Sequence, residues 1–295
     1  MKHYSNLIFT TSLVFILIVI YSSCRKEASS SSSVPQGQQR VSIRLSDNGV
    51  KFDAVNVDIQ SVAVQVIPDS CINKYHDDED HDGNNDHDHD SASRCASWDT
   101  LSINPGVYNL LDLANGVDTI LASGLTVSGK ITKIRLILGD NNSVVIDSVQ
   151  YPLTLWNNIH TVTIALRGED VDQITTNDLQ FWLDFDCGRS IVRLRDNQFV
   201  LRPYLRVWLP AHTAAVKGYV VPDSAESVVA AIFNGDTLVA IPRHRDGFFK
   251  IRGITSTTTD VFINATANNY QDTTITGVQL KVGKETDLGT IHLHQ

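Results

Sequence analysis

The chain lacks the residues and patterns that mark the commonest enzymes and nucleic-acid-binding proteins. Its 24 lysines and arginines are outnumbered by 33 aspartates and glutamates, which gives a formal net charge of −9. No basic excess is therefore available to attract nucleic acid. It has no complete phosphate-binding loop, G-x-S-x-G, H-E-x-x-H or dinucleotide motif. The sequence predicts a protein that is not an enzyme and does not bind nucleic acid.

The N-terminal residues are arranged like a secretory signal. Lys2 precedes an almost unbroken apolar run at residues 7–20, and the small residues Ser22 and Ser23 lead into Cys24. The run is shorter than the roughly 20 residues that a transmembrane helix needs. We therefore expect residues 1–23 to be a signal peptide that is removed on export.

The segment YSSC, residues 21–24, resembles the lipobox of bacterial lipoproteins. The resemblance implies that Cys24 is lipidated and that the protein is anchored in the bacterial cell envelope, in the outer membrane. It leaves open which face of that membrane the protein occupies. The sequence ASSSSSVPQGQQ that follows has too little apolar surface to fold, so residues 24–39 are predicted to be the lipidated cysteine and a flexible tether.

Beyond the tether, apolar and polar residues alternate almost everywhere. The alternating sets are Val41/Ile43/Leu45, Val55/Val57/Ile59, Val62/Val64/Val66, Ile134/Leu136/Leu138, Val162/Ile164/Leu166 and Phe181/Leu183/Phe185. A period of two is typical of half-buried strands. The sequence therefore predicts an all-β protein with two antiparallel β-sandwich domains in tandem.

Local departures from this pattern predict details of the strands. The alternation changes parity at residues 60–61, which indicates a β-bulge. The sequence at 118–122 is the one plausible helical turn. Asn234–Gly235 and Asp246–Gly247 are typical of hairpin turns that need a positive φ.

Residues 40–209 carry a series of segments that includes VSIRLSD, LLDLANG, LDFD and RPYLRV, in that order. The series resembles domain of unknown function 4382, which is common in bacterial envelope lipoproteins. The resemblance implies a β-sandwich and an envelope location, and it implies no activity.

Residues 214–295 carry VKGYVV, VVAAIFNGDTLVA, RDGFFKIRGI and DVFINATANNYQDTTI. These segments resemble the carboxypeptidase regulatory-like domain, a transthyretin-like sandwich. Asn269 stands where that family usually has glycine, and asparagine also tolerates a left-handed backbone. The resemblance implies a spacer or docking module.

The most unusual stretch is the insertion at residues 71–95, CINKYHDDEDHDGNNDHDHDSASRC. The segments on both sides of it look like strands. We therefore expect it to be an insertion in the loop of a β-hairpin, between Val66 and Trp98. Export exposes the protein to an oxidising compartment, and antiparallel neighbours bring such positions within bonding reach. We therefore predict a Cys71–Cys95 disulfide, worth about 3 kcal/mol, and a buried free thiol at Cys187.

Part of this insertion resembles the first half of an EF-hand or thrombospondin-type calcium loop. The ligands implied by the D-x-D-x-D-G run are Asp78, Asp80, Asp82, Asn84 and Asp86, which offer the hard oxygens that Ca²⁺ prefers. The twelfth position is His89 instead of the usual glutamate. The expected affinity is therefore weak, on the order of 10⁻⁴–10⁻³ M.

The same insertion permits two other interpretations. The four histidines His76, His81, His87 and His89 could bind Zn²⁺, Cu²⁺ or Ni²⁺ through imidazole nitrogens. Alternatively, its eight carboxylates and four histidines form a solvated polyanionic insert that collects cations without a defined site.

A rival hypothesis is a carbohydrate-active accessory or hydrolytic envelope protein. Asp184 and Asp186 alternate on one strand and could be paired carboxylates. The tryptophans Trp156, Trp182 and Trp208 could form a sugar-stacking surface. This hypothesis requires an exposed concave surface at these residues.

The preferred hypothesis is a non-catalytic, lipid-anchored envelope protein that binds or displays something through its two β modules. Its expected cofactor is weakly bound Ca²⁺, with Zn²⁺ or another transition metal as the alternative. Its expected partners are the membrane, through the lipid, and an unknown envelope protein or glycan.

Overall fold

The computed structural model describes residues 34–47, 49–71, 95–166, 178–267 and 269–295. Val34–Gln295 forms one compact unit. Within the described ranges the chain forms 21 strands and only short helical turns. No helix there combines the length and apolarity needed to cross a membrane.

Strands β1 to β14 form two sheets, which we call the first module. The five-stranded sheet has the order β14 (Leu205–Trp208), β11 (Asp178–Phe185), β1 (Gln38–Ser46), β6 (Thr119–Val127) and β4 (Ser102–Ile103). The nine-stranded sheet has the order β10 (Thr161–Ala165), β7 (Gly129–Leu138), β2 (Ala54–Pro68), β8 (Ser143–Ile146), β9 (Val149–Leu155), β13 (Phe199–Leu201) and β12 (Ile191–Arg193). In addition, β3 (Ser97–Thr100) and β5 (Gly106–Asn109) pair with β2.

Strands β15 to β21 form the second module. Its three-stranded sheet has the order β18 (Phe248–Ile254), β15 (Ala214–Val221) and β21 (Glu285–His292). Its four-stranded sheet has the order β17 (Asp236–Ala240), β16 (Val228–Phe233), β19 (Thr258–Asn264) and β20 (Thr273–Gln279).

The helical segments are single turns that connect strands. The 3₁₀ turns are Leu110–Leu113, Trp156–Asn158, Arg195–Asn197, Pro210–His212 and Asp223–Ala225, and the one α-helical turn in the described ranges is Cys187–Ser190.

The alternation in the sequence corresponds to burial in the fold. On β1, Val41, Ile43 and Leu45 are fully buried, while the residues between them lie on the opposite face. These side chains belong to a hydrophobic cluster drawn from both sheets of the first module. A separate cluster fills the second module. The predicted all-β sandwich class is confirmed.

Pairing within the sheets is mostly antiparallel, with three parallel exceptions. These are β1 with β11, β9 with β13, and β15 with β21. The register of β2 against β7 shifts between Ile59 and Ser61, so the predicted bulge is confirmed.

Three local predictions need correction. The expected helical turn at 118–122 is wrong, because Thr119 and the residues after it form β6 and pair with β1. Gln38 and Gln39, assigned to the tether, are the first residues of β1. Gly247 has a positive φ, but its turn leads from β17 to β18, which belong to different sheets, so it is no hairpin.

The turn at Asn234–Gly235 is the predicted hairpin. Both residues have a positive φ, 49° and 78°, and they join the paired strands β16 and β17. Asn269 also has a positive φ of 58°.

The insertion leaves the fold at one end of the β2–β3 pair. Val66 pairs with Ser97 in the antiparallel register, and the disulfide Cys71–Cys95 joins the two ends of the insertion. Their Cα atoms are 6.4 Å apart, within the range of native disulfides. Cys187 is a buried free thiol, as predicted.

Candidate functional site

The candidate site is the junction between the two modules. On β11 the side chains of Phe181, Leu183 and Phe185 enter the core, so Trp182 and Asp184 lie on the outer face of the five-stranded sheet. Across the antiparallel pair, Trp182 faces Trp208, and Asp184 faces Arg206 on β14. The second module contacts this outer face, since Arg252 stacks on Trp182 and Asp236 pairs with Arg206. Asp184 has no exposed surface.

Asp118 connects the modules by binding two arginines. Its carboxylate accepts from Arg44 on β1 of the first module and from Arg252 Nη1 on β18 of the second, the latter at 3.0 Å. The side chains of Asp118 and Arg252 are only 12% and 14% exposed. Because breaking a buried pair leaves a charge without its partner, this contact is costly to separate.

Asp236 makes the reciprocal connection from the second module. It lies just after the β16–β17 turn, and its carboxylate is 3.3 Å from Arg189 Nη2 and 3.6 Å from Arg206 Nη1. Arg189 Nη2 also donates to the carbonyl of Thr237 at 2.7 Å. Arg206 in turn donates to Asp184 at 2.8 Å. The charged network therefore runs from the second module to the buried carboxylate.

Neutral hydrogen bonds support the same junction. Asn115 Nδ2 donates to the carbonyl of Ile241 at 2.8 Å, and Asn115 Oδ1 accepts from the backbone N–H of Lys250 at 3.4 Å. Lys51 Nζ donates to the carbonyl of Glu226 at 3.1 Å and to Thr266 Oγ1 at 2.8 Å. Together with the shared carboxylates, these contacts fix the two modules against each other.

Aromatic contacts fill the space beside the ion pairs. The Arg252 guanidinium lies 4.0 Å from the centre of the Trp182 ring, a cation–π distance, and Trp182 and Trp208 have ring centres 6.4 Å apart. Gly253 has a φ of +77°, and a Cβ there would lie 3.1 Å from the Trp208 ring. Glycine therefore permits β18 to approach this tryptophan closely.

The junction contains two hollows. One, of about 160 Å³, is lined by residues that include Trp182, Trp208, Lys250, Arg252, Lys284 and Glu285. The other, of about 580 Å³, is lined by residues that include Val50, Asp112, Asp223, Ile241 and His244. His244 Nδ1 is 3.0 Å from Asp223 Oδ1.

Two carboxyls are buried where β1 and β11 end beside the junction. Asp47 accepts from the backbone N–H of Gly49 at 2.8 Å and from that of Cys187 at 3.2 Å. Burial, with a contribution from the charge of Asp184, raises the pKa of Asp47 to about 7. Burial also raises the pKa of Asp184 to about 6, although Arg206 opposes this shift. Burial and the neighbouring Asp47 raise the pKa of the Cys187 thiol, so this cysteine is a poor nucleophile.

The predicted metal ligands lie outside the described residues. This holds for Asp78, Asp80, Asp82, Asn84 and Asp86 of the calcium interpretation and for the histidines of the transition-metal interpretation, which are His76, His81, His87 and His89. Cys24 also lies outside them. In the part of the chain that is described, no three His, Cys, Asp or Glu side chains are grouped so as to hold a metal ion.

The exposed carboxylate pair of the hydrolase hypothesis does not form. Asp184 is fully buried against Arg206, and Asp186 Oδ1 caps the Cys187–Ser190 turn by accepting from the N–H of Arg189 at 3.0 Å. Of the tryptophans, Trp208 is buried and Trp182 is partly buried, while Trp156 is 42% exposed. The expected catalytic surface at Asp184 and Asp186 is therefore wrong.

Sequence reasoning missed the residues that form the junction. The sequence predicted a helical turn at Asp118. It gave no role to Asp236 or Arg252, which lie in segments that only resemble a known family. No local pattern marks them, because Asp118 and Arg252 are 134 positions apart in the chain.

Residues 38–203 match the family model of a domain of unknown function, DUF4382. The chain belongs to this family. The match extends from the start of β1 through β13 and ends before β14, so it covers most of the predicted range of 40–209. No curated protein matches the chain.

Solved structures with some likeness to this DUF4382 protein are only distantly similar. The shaft pilin SpaA of Lactobacillus rhamnosus GG is 8% identical, with 87% of this chain and 97% of that chain covered and a TM-score of 0.22. A chain of a type II cohesin–X-dockerin complex from Acetivibrio cellulolyticus is 25% identical over 27% of this chain, with a TM-score of 0.22, and this chain spans only 56% of its length. At these TM-scores the likenesses carry no functional argument, and no catalytic family is indicated.

The raised pKa values predict how the stability of the fold depends on pH. Since folded Asp47 and Asp184 hold their protons more tightly than the unfolded chain does, their contribution is complete below about pH 4 and is lost as the pH rises through 6 and 7. Asp47→Asn replaces one of these two titrating carboxyl groups by a neutral amide. Relative to wild type, its free energy of unfolding should rise by roughly 2–4 kcal/mol between pH 5 and pH 8.

Urea unfolding at each pH measures this difference, and Asp112→Asn, which changes an exposed carboxylate, provides the baseline. A difference between Asp47→Asn and wild type that stays constant from pH 5 to pH 8 would contradict the raised pKa.

Proposed function

We propose that this DUF4382 protein is a non-catalytic, lipid-anchored protein of the bacterial outer membrane that displays two rigidly joined β modules. The second module acts as a carboxypeptidase regulatory-like spacer or docking domain. The insertion at residues 71–95 binds a divalent cation, with Ca²⁺ as the preferred ion. The partner of the displayed surface is an envelope protein or a glycan.

The observation that carries the proposal is the position of the insertion relative to the N-terminal end of β1. Ser128 donates its N–H to the carbonyl of Gly37 at 2.9 Å, and Asp69 donates its N–H to the carbonyl of Ser128 at 3.0 Å. Two backbone hydrogen bonds thus connect Gly37, just before β1, to the residue two positions before Cys71. The insertion and the anchored segment therefore leave the first module at the same end.

The junction lies at the other end of the same strand. β1 has nine residues, Gln38–Ser46, and at about 3.3 Å per residue it spans about 30 Å. Asp47 follows it directly and belongs to the buried group beside the junction. In an anchored protein, the tether would therefore join the first module at the end from which the insertion leaves, and the junction with the second module lies at the other end of β1.

A cation bound to the insertion would reduce electrostatic repulsion between the insertion and the membrane. The insertion has eight carboxylates between residues 76 and 90 and no lysine or arginine there. A polyanion close to an anionic membrane surface is repelled within about a Debye length, about 8 Å at physiological ionic strength. Divalent cations bound to the carboxylates reduce that repulsion, so the first module can approach the membrane.

The lipid anchor is supported by the YSSC segment and the apolar run before it. Cys24→Ala should abolish incorporation of labelled palmitate, because it removes the only acceptor thiol at the cleavage site. In detergent phase partitioning, the variant should move from the detergent phase to the aqueous phase. Cys187→Ala changes a buried free thiol and should leave labelling unchanged. Continued labelling of the Cys24→Ala protein would reject the anchor.

The calcium site is tested by calorimetry on metal-stripped protein, residues 34–295. We expect one Ca²⁺ per chain with a dissociation constant on the order of 10⁻⁴–10⁻³ M, and loss of this binding in the double variant Asp80→Ala with Asp82→Ala. The control, Asp112→Ala with Asp260→Ala, also removes two carboxylates but outside the insertion, and should bind as wild type does.

Two outcomes would count against the calcium site. Binding of Zn²⁺ but not of Ca²⁺ would indicate that the metal ligands are His76, His81, His87 and His89. Equal Ca²⁺ binding by both double variants, or none by wild type, would leave the insertion as a charged segment without a defined site.

A further inference from the structure

The smaller hollow of the junction lies over the two tryptophans and is walled by the second module. Trp182 and Trp208 of the first module form one side, and Lys250, Arg252 and Gly253 of β18 form another. Lys284, in the turn before β21, and Glu285, the first residue of β21, also line it. Its volume of about 160 Å³ is below the 300–1,000 Å³ typical of drug-sized sites, so it has room for a single small ring.

The charge of this hollow is opposite to that of the whole protein. Lys250, Arg252 and Lys284 line it with only one carboxylate, Glu285, while the chain has a net charge of −9. Glu285 is bound to Lys250 and lies 3.4 Å from Lys217 Nζ. Lys284 has no carboxylate within ion-pair distance among the described residues. The hollow therefore favours an anion.

Two of the three cations are held in position before any ligand arrives. Arg252 is fixed by its ion pair to Asp118 at 3.0 Å and by stacking on Trp182. Lys250 is fixed by Glu285. Since these side chains are already ordered, binding a ligand costs little further side-chain entropy.

A hydrogen-bond donor beside the cations is left unused. Trp182 Nε1 is buried, and no acceptor within the described part of the chain reaches it. A buried N–H without an acceptor is costly. A ligand that brings an oxygen acceptor as well as an anionic group would satisfy both features.

We propose that this hollow binds one acidic sugar residue, a hexose ring that carries a carboxylate. The carboxylate pairs with Lys284, a ring oxygen or hydroxyl accepts from Trp182 Nε1, and the C–H surface of the ring packs against the parts of Trp182 and Trp208 that line the hollow. This binding site is independent of the lipid anchor and of the insertion, so either can fail without affecting it.

The test uses the full chain in detergent micelles and methyl β-D-glucuronide as the probe. Saturation-transfer NMR with irradiation of the aromatic protons should saturate the ring C–H protons of the sugar, with a dissociation constant in the millimolar range. Methyl β-D-glucoside, which has the same ring without the carboxylate, should bind at least tenfold more weakly.

Variants locate the binding at this hollow. Lys284→Gln should weaken binding about fivefold, because it removes the one lining cation that has no carboxylate partner among the described residues. Lys281→Gln changes a lysine of the same turn, whose carbonyl accepts from the N–H of Lys284 at 3.0 Å, and should bind as wild type does. Trp182→Phe keeps an aromatic ring but removes the N–H, and should also weaken binding about fivefold.

Three results would overturn the proposal. The first is the absence of saturable transfer to the glucuronide. The second is equal binding of glucuronide and glucoside, since the cations would then have no role. The third is binding of acetate as tight as that of glucuronide, which would make the hollow a simple anion site.

Discussion

The arrangement of the molecule depends on two carboxylates at the junction that each bind two arginines. Asp118 of the first module binds Arg44 and Arg252, and Asp236 of the second module lies between Arg189 and Arg206. Isolated surface ion pairs contribute little to stability. These contacts are partly buried, linked to the buried Asp184, and supported by hydrogen bonds from Asn115, so they act as one network.

The same network organises the features that we connect to function. It orders Arg252, one of the three cations that line the smaller hollow, and it holds β18 of the second module beside Trp182 and Trp208. At the opposite end of β1, backbone hydrogen bonds join Gly37 to Asp69 through Ser128. The fold thus separates the point where the polyanionic insertion leaves the first module, beside Gly37, from a junction whose smaller hollow is lined by more cations than carboxylates.

The sequence predicted the features that depend on neighbouring residues. Alternation predicted the burial of Val41, Ile43 and Leu45, and the parity change predicted the bulge before Ser61, because both follow from one face of a strand being buried. The disulfide followed from strand-like flanks around the insertion. The parallel pairing of β1 with β11 joins segments about 140 residues apart, and no local pattern specifies it. For the same reason the partners of Asp118, and the burial of Asp184 against Arg206, could not be predicted.

The central claim is that the two modules form one rigid unit, and the most direct test is a distance distribution between them. Val149→Cys on β9 and Ile232→Cys on β16 replace exposed residues and provide sites for spin labels, while the native cysteines of the described fold are either disulfide-bonded or buried. Pulsed electron paramagnetic resonance should give a single narrow distribution, which broadens when Asp118→Ala and Asp236→Ala are combined. A broad or multimodal distribution without those two substitutions would contradict the account.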